Sequence, residues 1–471
     1  MTDCCNHEHQ HETLSRYGKE FEAMAREAGL QFHPVDYELV PGSFMMEVAV
    51  YGLPVRMPHW SFGVRYIYQH IQHRMGHSKI FEVVFPGNPN RAYLVEENAL
   101  AENALVTAHV LGHADFSRCN ELFVSMQEQV GWNVVEQAAE RAHRIQGALD
   151  THGQERVEAV LDAALALEPH VHIHRGLHRQ PYSSRAEKQE GTPAPSSGGG
   201  FGDKYARLPG ENTLEETTEH SPASCPPHPE NDLLWFIARY APDMEDWERD
   251  IFLDVREESF YFYPVFACQI MNEGWASYWH ARLLREADFL PHELYLDAIR
   301  THSSVVRPFG DEQKLSLQIN PYHLGFVIWE HIIETHGLEK AMEIRRQDDD
   351  FSFVRNYLDE PLARELKLFS YKRKELAGRR IQYSIDSMDI DRIREQILAP
   401  KFNFGAPRVR VLDMTMDGSL LLGHEHAIDG RGLDLKRAAR VLDYVQEVWR
   451  RPIRLETIDG DGEPRVLERT P

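Results

Sequence analysis

The sequence predicts an α+β protein that is mainly α: a helical body with a small antiparallel sheet, then a small ββαββ domain at the C-terminus. Three features predict it. Helical periodicity runs through 99–175 and 231–398 with few breaks. Residues 79–96 read as a β-hairpin that precedes the first of these runs. From Pro407 the apolar residues switch to period two.

Taken in order, residues 1–14 are polar and carry His7, His9 and His11, so a disordered tail that binds metal weakly is expected. Ser15 to Leu30 places Phe21, Met24, Ala25 and Ala28 on one helical face, and Gly29 ends the helix. KIFEVVF and RAYLVE are apolar and β-branched, with Gly87-Asn88-Pro89-Asn90 as the turn between them. Helices follow over 99–115, 133–149 and 154–167. His170, His172 and His174 then alternate, as on one face of a strand. Residues 181–230 are rich in Pro, Ser, Gly, Glu and Thr and read as a flexible insertion. Helical signals resume at Asn231, and Pro400 closes the body. Over 404–471, RVRVLDM and SLLLGHEHAI read as strands. LDLKRAARVLDYVQEVWR is a helix, and two strands around a Gly-Asp-Gly turn complete the domain.

Composition narrows the class. Lys plus Arg is 51 and Asp plus Glu is 74, so the formal charge is 51 − 74 = −23. That balance argues against nucleic acid or an anionic membrane surface as the main partner. The most apolar run, Phe260 to Met271, is too short to span a bilayer, which needs ~20 residues. The five cysteines are few, odd in number and not in CxxC pairs, which fits a reducing cytosol. The N-terminus has no apolar segment of a secretory signal. A soluble cytoplasmic protein is expected. The 26 histidines direct attention to their spacing.

The sharpest constellation is Ala108-His109-Val110-Leu111-Gly112-His113. Two histidines at i and i+4 share a helical face and can grip one divalent metal ion, zinc or another. A hairpin followed by such a helix is also the arrangement of zincin-type metalloproteases, so the body is expected to be zincin-like. In those enzymes a general-base glutamate follows the first histidine. Val110 stands there instead. Two helix histidines that simply hydrogen-bond to neighbours remain the other reading. The second constellation is Asn272-Glu273-Gly274-Trp275-Ala276-Ser277-Tyr278-Trp279-His280. Glu273, Ser277 and His280 share one face, and Glu273 suits the third ligand. The small residues around it permit another helix to approach. Its other reading is a helix start, with Asn272 as cap and Glu273 favouring the dipole. With Val110 in the base position, the proton acceptor must come from elsewhere. His280 is the best placed by spacing, with Glu97 and Asp115 behind it. Asn320-Pro321-Tyr322-His323 reads as a helix start whose Tyr322 or His323 can face the site. His59, between Pro58 and Trp60, reads as part of a fixed loop near a pocket.

The segments YGLPVRMPHWSFG (51–63), NPNRAYLVEENAL (88–100), AHVLGHADF (108–116), YFYPVFACQIMNEGWASYWH (261–280), INPYHLGF (319–326) and VRNYLDEPL (354–362) resemble the stage V sporulation protein R family, the SpoVR-like proteins. The resemblance runs over 15–178 and 231–400, so a body in two parts, 15–180 and 231–400, is expected around the insertion. It implies a bacterial cytoplasmic protein, linked in spore formers to the spore cortex, a modified peptidoglycan. Two functions follow as expectations. One is a metal-dependent enzyme, with His109, His113 and Glu273 as ligands, acting on a peptide or amide bond such as those of peptidoglycan precursors. The other is a non-catalytic scaffold or regulatory protein that keeps a structural or vestigial metal site. The C-terminal domain is expected to be an accessory module, with a protein partner as one possible role.

Overall fold

The computed structural model describes residues 2–74, 82–182, 225–306, 320–376, 380–427 and 430–471. Most of the insertion expected over 181–230 lies outside the described residues. The chain divides into two compact units, Met1–Leu161 with Asp254–Ala406, and Asp162–Leu253 with Pro407–Pro471. Each unit is therefore built from two separate stretches of chain. The C-terminal strands do not stand alone, because Glu230 exchanges both backbone hydrogen bonds with Val411, at 2.9 and 2.8 Å.

In the first unit, α1 (Thr2–Glu27) buries Leu14, Tyr17, Phe21 and Ala25. The tail expected over 1–14 is thus helical from Thr2. Once the anchored face nucleates the helix, each added residue gains a hydrogen bond at little cost. Strand β1 (Val35–Val40) leads to α2 (Gly42–Tyr51) and α3 (Trp60–Arg74). His59, read as part of a loop, lies immediately before α3. Next come β2 (Glu82–Phe85) and β3 (Asn90–Val95), the two arms of the expected hairpin. The sheet is mixed rather than antiparallel, because β1 joins β3 in parallel and gives the order β1-β3-β2. A parallel pairing needs a long crossover, and α2 and α3 provide it. Strand β2 lies at the edge, and Glu82 is its first residue.

Helix α4 (Leu100–Cys119) follows, and every residue from Asn103 to Ser117 is buried. A helix covered on all sides is the centre of its unit. After it in the chain come α5 (Glu121–Val130), α6 (Val134–His152) and α7 (Gln154–Ala166). After α8 (Leu233–Tyr240), the chain runs through α9 (Asp246–Ala267), α10 (Gln269–Glu286), α11 (His292–Val305) and α12 (Pro321–His336). Asn320 caps α12 by accepting from the Tyr322 N–H at 3.0 Å, as the Asn-Pro signal predicts. Then come α13 (Leu338–Gln347), α14 (Asp350–Tyr357) and α15 (Glu360–Glu365). The helical run expected to reach 398 is broken by an antiparallel hairpin, β4 (Ser370–Leu376) and β5 (Arg380–Ser387), before α16 (Ile390–Leu398). Ile381, Tyr383 and Ile385 alternate at period two, the strand signal that the helical reading passed over.

Three helices meet almost backbone to backbone. A Cβ on Gly112 of α4 would lie 2.5 Å from the Ala276 Cα of α10. One on Gly274 of α10 would lie 2.2 Å from the Gly325 carbonyl carbon of α12. One on Gly325 would lie 2.0 Å from the Ile270 carbonyl oxygen. Only glycine fits at these positions, and the fit sets α4 and α10 close enough for short side chains to meet between them.

In the second unit, β6 (Val409–Met414), β7 (Leu420–His424), β8 (Ile453–Ile458) and β9 (Pro464–Arg469) form one sheet in chain order. β7 and β8 are parallel, and α17 (Leu435–Trp449) makes the crossover. Leu442, Val445, Val448 and Trp449 are its buried face. His170, His172 and His174 do not share a strand; the chain there is irregular, with a short 3-10 turn at Ile173–Arg175. His170 is buried, and burial pushes its pKa down to about 4.

Gly325→Ala is expected to destabilise the protein by at least ~1–3 kcal/mol, through overpacking. Gly147→Ala, in α6 where a Cβ meets nothing within 4 Å, is expected to raise stability by roughly 0.5–1 kcal/mol. Thermal unfolding of the two variants checks both. Similar shifts in the same direction would show that the close approach is not what holds the helices.

Candidate metal centre

The face of α4 turned toward α10 carries His109 and His113, one turn apart, with ring centroids 4.5 Å from each other. Glu273 reaches between them from α10. Its Oε2 lies 3.7 Å from His109 Nε2 and 3.6 Å from His113 Nε2. A second carboxylate comes from the edge strand: Glu82 Oε1 lies 3.8 Å from His109 Nε2. The donor atoms of Glu82, His109 and His113 all lie within 4.8 Å of one another. Ligands 2.0–2.2 Å from a tetrahedral zinc ion sit about 3.3–3.6 Å apart, and the His109–Glu273 and His113–Glu273 separations of 3.7 and 3.6 Å are within a few tenths of an ångström of that. Among the described residues, His109 Nε2 and Glu273 Oε2 are buried without a hydrogen-bond partner. Such atoms cost about 1–3 kcal/mol each unless something satisfies them, and a cation bound by both atoms would do so.

The rings are held from behind. Asn272, next to Glu273, accepts the His113 Nδ1–H through its Oδ1 at 2.9 Å. Adjacent residues of α10 thus bracket one imidazole, and His113 Nε2 is left as a lone pair. This is the hydrogen bond that orients a metal-binding histidine. Asn272 is therefore no cap; α10 already begins at Gln269. Behind His109, its Nδ1 lies 2.8 Å from His280 Nδ1. Tyr322, at the start of α12, stacks on His109 with centroids 6.1 Å apart, as its position in the Asn-Pro motif allowed.

Electrostatics separate the two carboxyls. Burial alone would raise Glu273, but His113 and then His109 outweigh it and hold the group below the usual carboxylate range. Glu82 is pushed up to about 8, first by burial and then by the charge of Glu273. These are properties of the metal-free protein; a divalent cation among the same groups would lower both. Burial, then His113, pushes His109 down to about 4. Tyr322 is driven up by the facing Glu273 charge and by burial, so its phenol keeps its proton.

His109, His113 and Glu273 therefore come together as the spacing proposed. The expected proton acceptors do not join them on the donor face. His280 is fully buried behind His109. Glu97 accepts the Gly42 N–H, at 3.0 Å to Oε2. Asp115 is two residues past His113, about 200° round the helix. It takes the Gln31 N–H at 2.7 Å, the Trp275 indole N–H at 2.8 Å and the Arg345 guanidinium. The carboxylate that sequence reasoning missed is Glu82. Its only sequence signal is that it is a lone acid in an apolar strand that leads to the HxxxH helix.

A family profile described as SpoVR like protein matches residues 8–405. The chain belongs to the SpoVR family. The stretch matched by that sporulation-related family contains every donor residue described above. Among curated relatives, the "Uncharacterized protein YcgB" of Escherichia coli (strain K12) is 26% identical over 487 residues, covering 97% of this chain and 94% of the relative. No solved structure matches the chain. Among the described residues, no helix is long and apolar enough to cross a membrane.

The raised Glu82 carboxyl fixes the sign of a stability effect. Folded, it keeps its proton up to about pH 8; unfolded, it loses it near pH 4.3. The folded state therefore carries a penalty that is absent below the unfolded pKa and grows as pH rises through that window. In chelator-treated protein, Glu82→Gln is expected to be more stable than wild type at pH 8–9, by roughly 2–5 kcal/mol. The gap should close toward pH 4.5, as read from urea midpoints. A gap that does not change with pH would contradict the burial of that charge.

Proposed function

We propose that the chain is a metal-dependent hydrolase of peptide or amide bonds, in which His109, His113 and Glu273 hold one divalent cation, zinc foremost. The observation that supports this most is the convergence of three N and O donors with two orphaned buried atoms among them. A cation held there polarises a substrate carbonyl and makes a neighbouring water more acidic. Glu82 then fills the role that Val110 cannot. It accepts a proton from the attacking water and passes it to the leaving amine nitrogen. The carbonyl carbon gains an oxygen, the C–N bond breaks, and the amine leaves protonated. Tyr322, which keeps its proton beside Glu273, is the donor for the carbonyl oxygen as charge develops on it.

The link of SpoVR-like proteins to the spore cortex supports peptidoglycan precursors as the substrate class, acted on in the cytoplasm. The sheet β6–β9 with α17 serves as an accessory module for a protein partner, through the Lys436, Arg437 and Arg440 cluster of α17. A non-catalytic scaffold with a structural metal site is the reading that takes over if the metal binds and nothing is cut.

The test uses a His7→Ala/His9→Ala/His11→Ala background, to remove the N-terminal histidines as competing ligands. Deleting 1–14 is unsuitable, because Leu14 is part of the core. Purified protein is expected to take up about one zinc per chain and to cleave peptidoglycan stem peptides. His109→Ala/His113→Ala should lose the zinc. Glu82→Gln should keep it and lose at least ~100-fold in turnover. No stoichiometric zinc would overturn the proposal, and zinc without cleavage would establish the scaffold.

A further inference from the structure

The two histidines of the centre are held from behind by unlike partners. Behind His113 stands an amide oxygen, Asn272 Oδ1, which only accepts. Behind His109 stands another imidazole, His280, which can donate or accept. The chain continues, for His280 Nε2 lies 2.6 Å from His302 Nδ1 on α11. His280 is fully buried and His302 half-buried. The rings therefore form a line from the donor face toward the surface: His109, His280, His302.

A neutral imidazole carries one N–H, so this line has two self-consistent settings. In the first, His109 Nε2–H faces the Glu273 and Glu82 carboxylates. Its Nδ1 accepts from His280 Nδ1–H, and His280 Nε2 accepts from His302 Nδ1–H. In the second, every bond is reversed. His109 Nδ1–H donates to His280 Nδ1, His280 Nε2–H donates to His302 Nδ1, and His302 carries its proton on Nε2. Only the second leaves a lone pair on His109 Nε2. His113 needs no such choice, because Asn272 selects the ligating tautomer of the neutral ring.

We propose that His109, His280 and His302 form a tautomer switch that transmits occupancy of the metal centre toward the surface at His302. It rests on the metal-binding half of the reading above and not on turnover. When a cation enters, the His109 Nε2 proton leaves the donor face. His280 gives its Nδ1 proton to His109, His302 gives its Nδ1 proton to His280 Nε2, and solvent protonates His302 Nε2. One proton leaves, one enters, and each ring stays neutral. His280 and His302 are thus positioning residues, and the missing proton acceptor of the sequence reading is not among them.

The test is histidine-labelled full-length protein, on the background without His7, His9 and His11, titrated with zinc. Solid-state 15N NMR reads each tautomer, with signals assigned from His280→Ala and His302→Ala difference spectra. One equivalent of zinc is expected to move the His280 and His302 protons from Nδ1 to Nε2. In chelator competition, His280→Ala should bind zinc about 10–100-fold more weakly, with one ion per chain still bound at saturation. His280→Gln supplies an amide oxygen to His109 Nδ1–H, as Asn272 does for His113. It should restore affinity yet leave His302 in one tautomer with or without zinc. Zinc binding with unchanged tautomers, or wild-type affinity in His280→Ala, would overturn the switch and leave the metal centre standing. A wild-type protein that takes up no zinc would remove the metal reading itself, and the switch with it.

Discussion

The near-contact of the α4, α10 and α12 backbones is the constraint on which the centre depends. Imidazole and carboxylate side chains reach only a few ångströms. Packed helices ordinarily lie about 8–10 Å apart, the spacing set by the side chains at the crossing. Gly112 opposite Ala276, and Gly274 opposite Gly325, remove those side chains. Glu273 can then touch both histidines from a neighbouring helix. The same glycines explain why a buried polar cluster sits in so apolar a core: they bring helices together where their donors, rather than their hydrocarbon, must face one another.

Around this crossing the structure holds two kinds of carboxylate, fully buried and half-buried. Asp115 and Asp350 are closed. Asp115 is saturated by Gln31, Trp275 and Arg345, and ties α4 to α10 and α13. Asp350 takes the Ile270 and Met271 N–H groups at 2.9 Å each, with Lys401 beside it at 2.9 Å. Those amides are among the unpaired donors at the start of α10, so Asp350 anchors the turn that presents Asn272 and Glu273. Glu273 and Glu82 are different. Among the described residues Glu273 keeps a buried oxygen without a partner, and the Glu82 carboxyl is raised by desolvation and then by the charge of its neighbour. Closed networks hold the scaffold; open ones carry stored cost, which is what a ligand can relieve.

The second unit is organised the same way. Glu230 is fully buried, yet it is bonded to Arg179 at 2.7 Å, to the Tyr182 hydroxyl and to the Asp232 N–H at 2.9 Å. The Arg179 guanidinium in turn stacks 3.4 Å from the Trp235 ring centre. The backbone of Glu230 extends the sheet at Val411, so this ion pair secures the join between the two stretches of chain that make the unit.

The sequence by itself determined what repeats along one helix. His109 and His113 at one-turn spacing, Glu273 among small residues, and Tyr322 behind an Asn-Pro start were legible, because helical period alone decides which residues share a face. The hairpin and the period-two C-terminal strands were legible for the same local reason. Tertiary structure decided everything that depends on distance between elements. Glu82 arrives on a strand edge that no helical spacing announces. His302 joins the site through His280, from another helix. Glu97 and Asp115, close to the histidines in sequence, are taken by backbone and guanidinium partners elsewhere. The join of 162–253 with 407–471, and the parallel strand β1, belong to the same class. Periodicity is a property of one element, whereas a site is a convergence of several. Which carboxylate stays open is set by the partners that reach it in three dimensions.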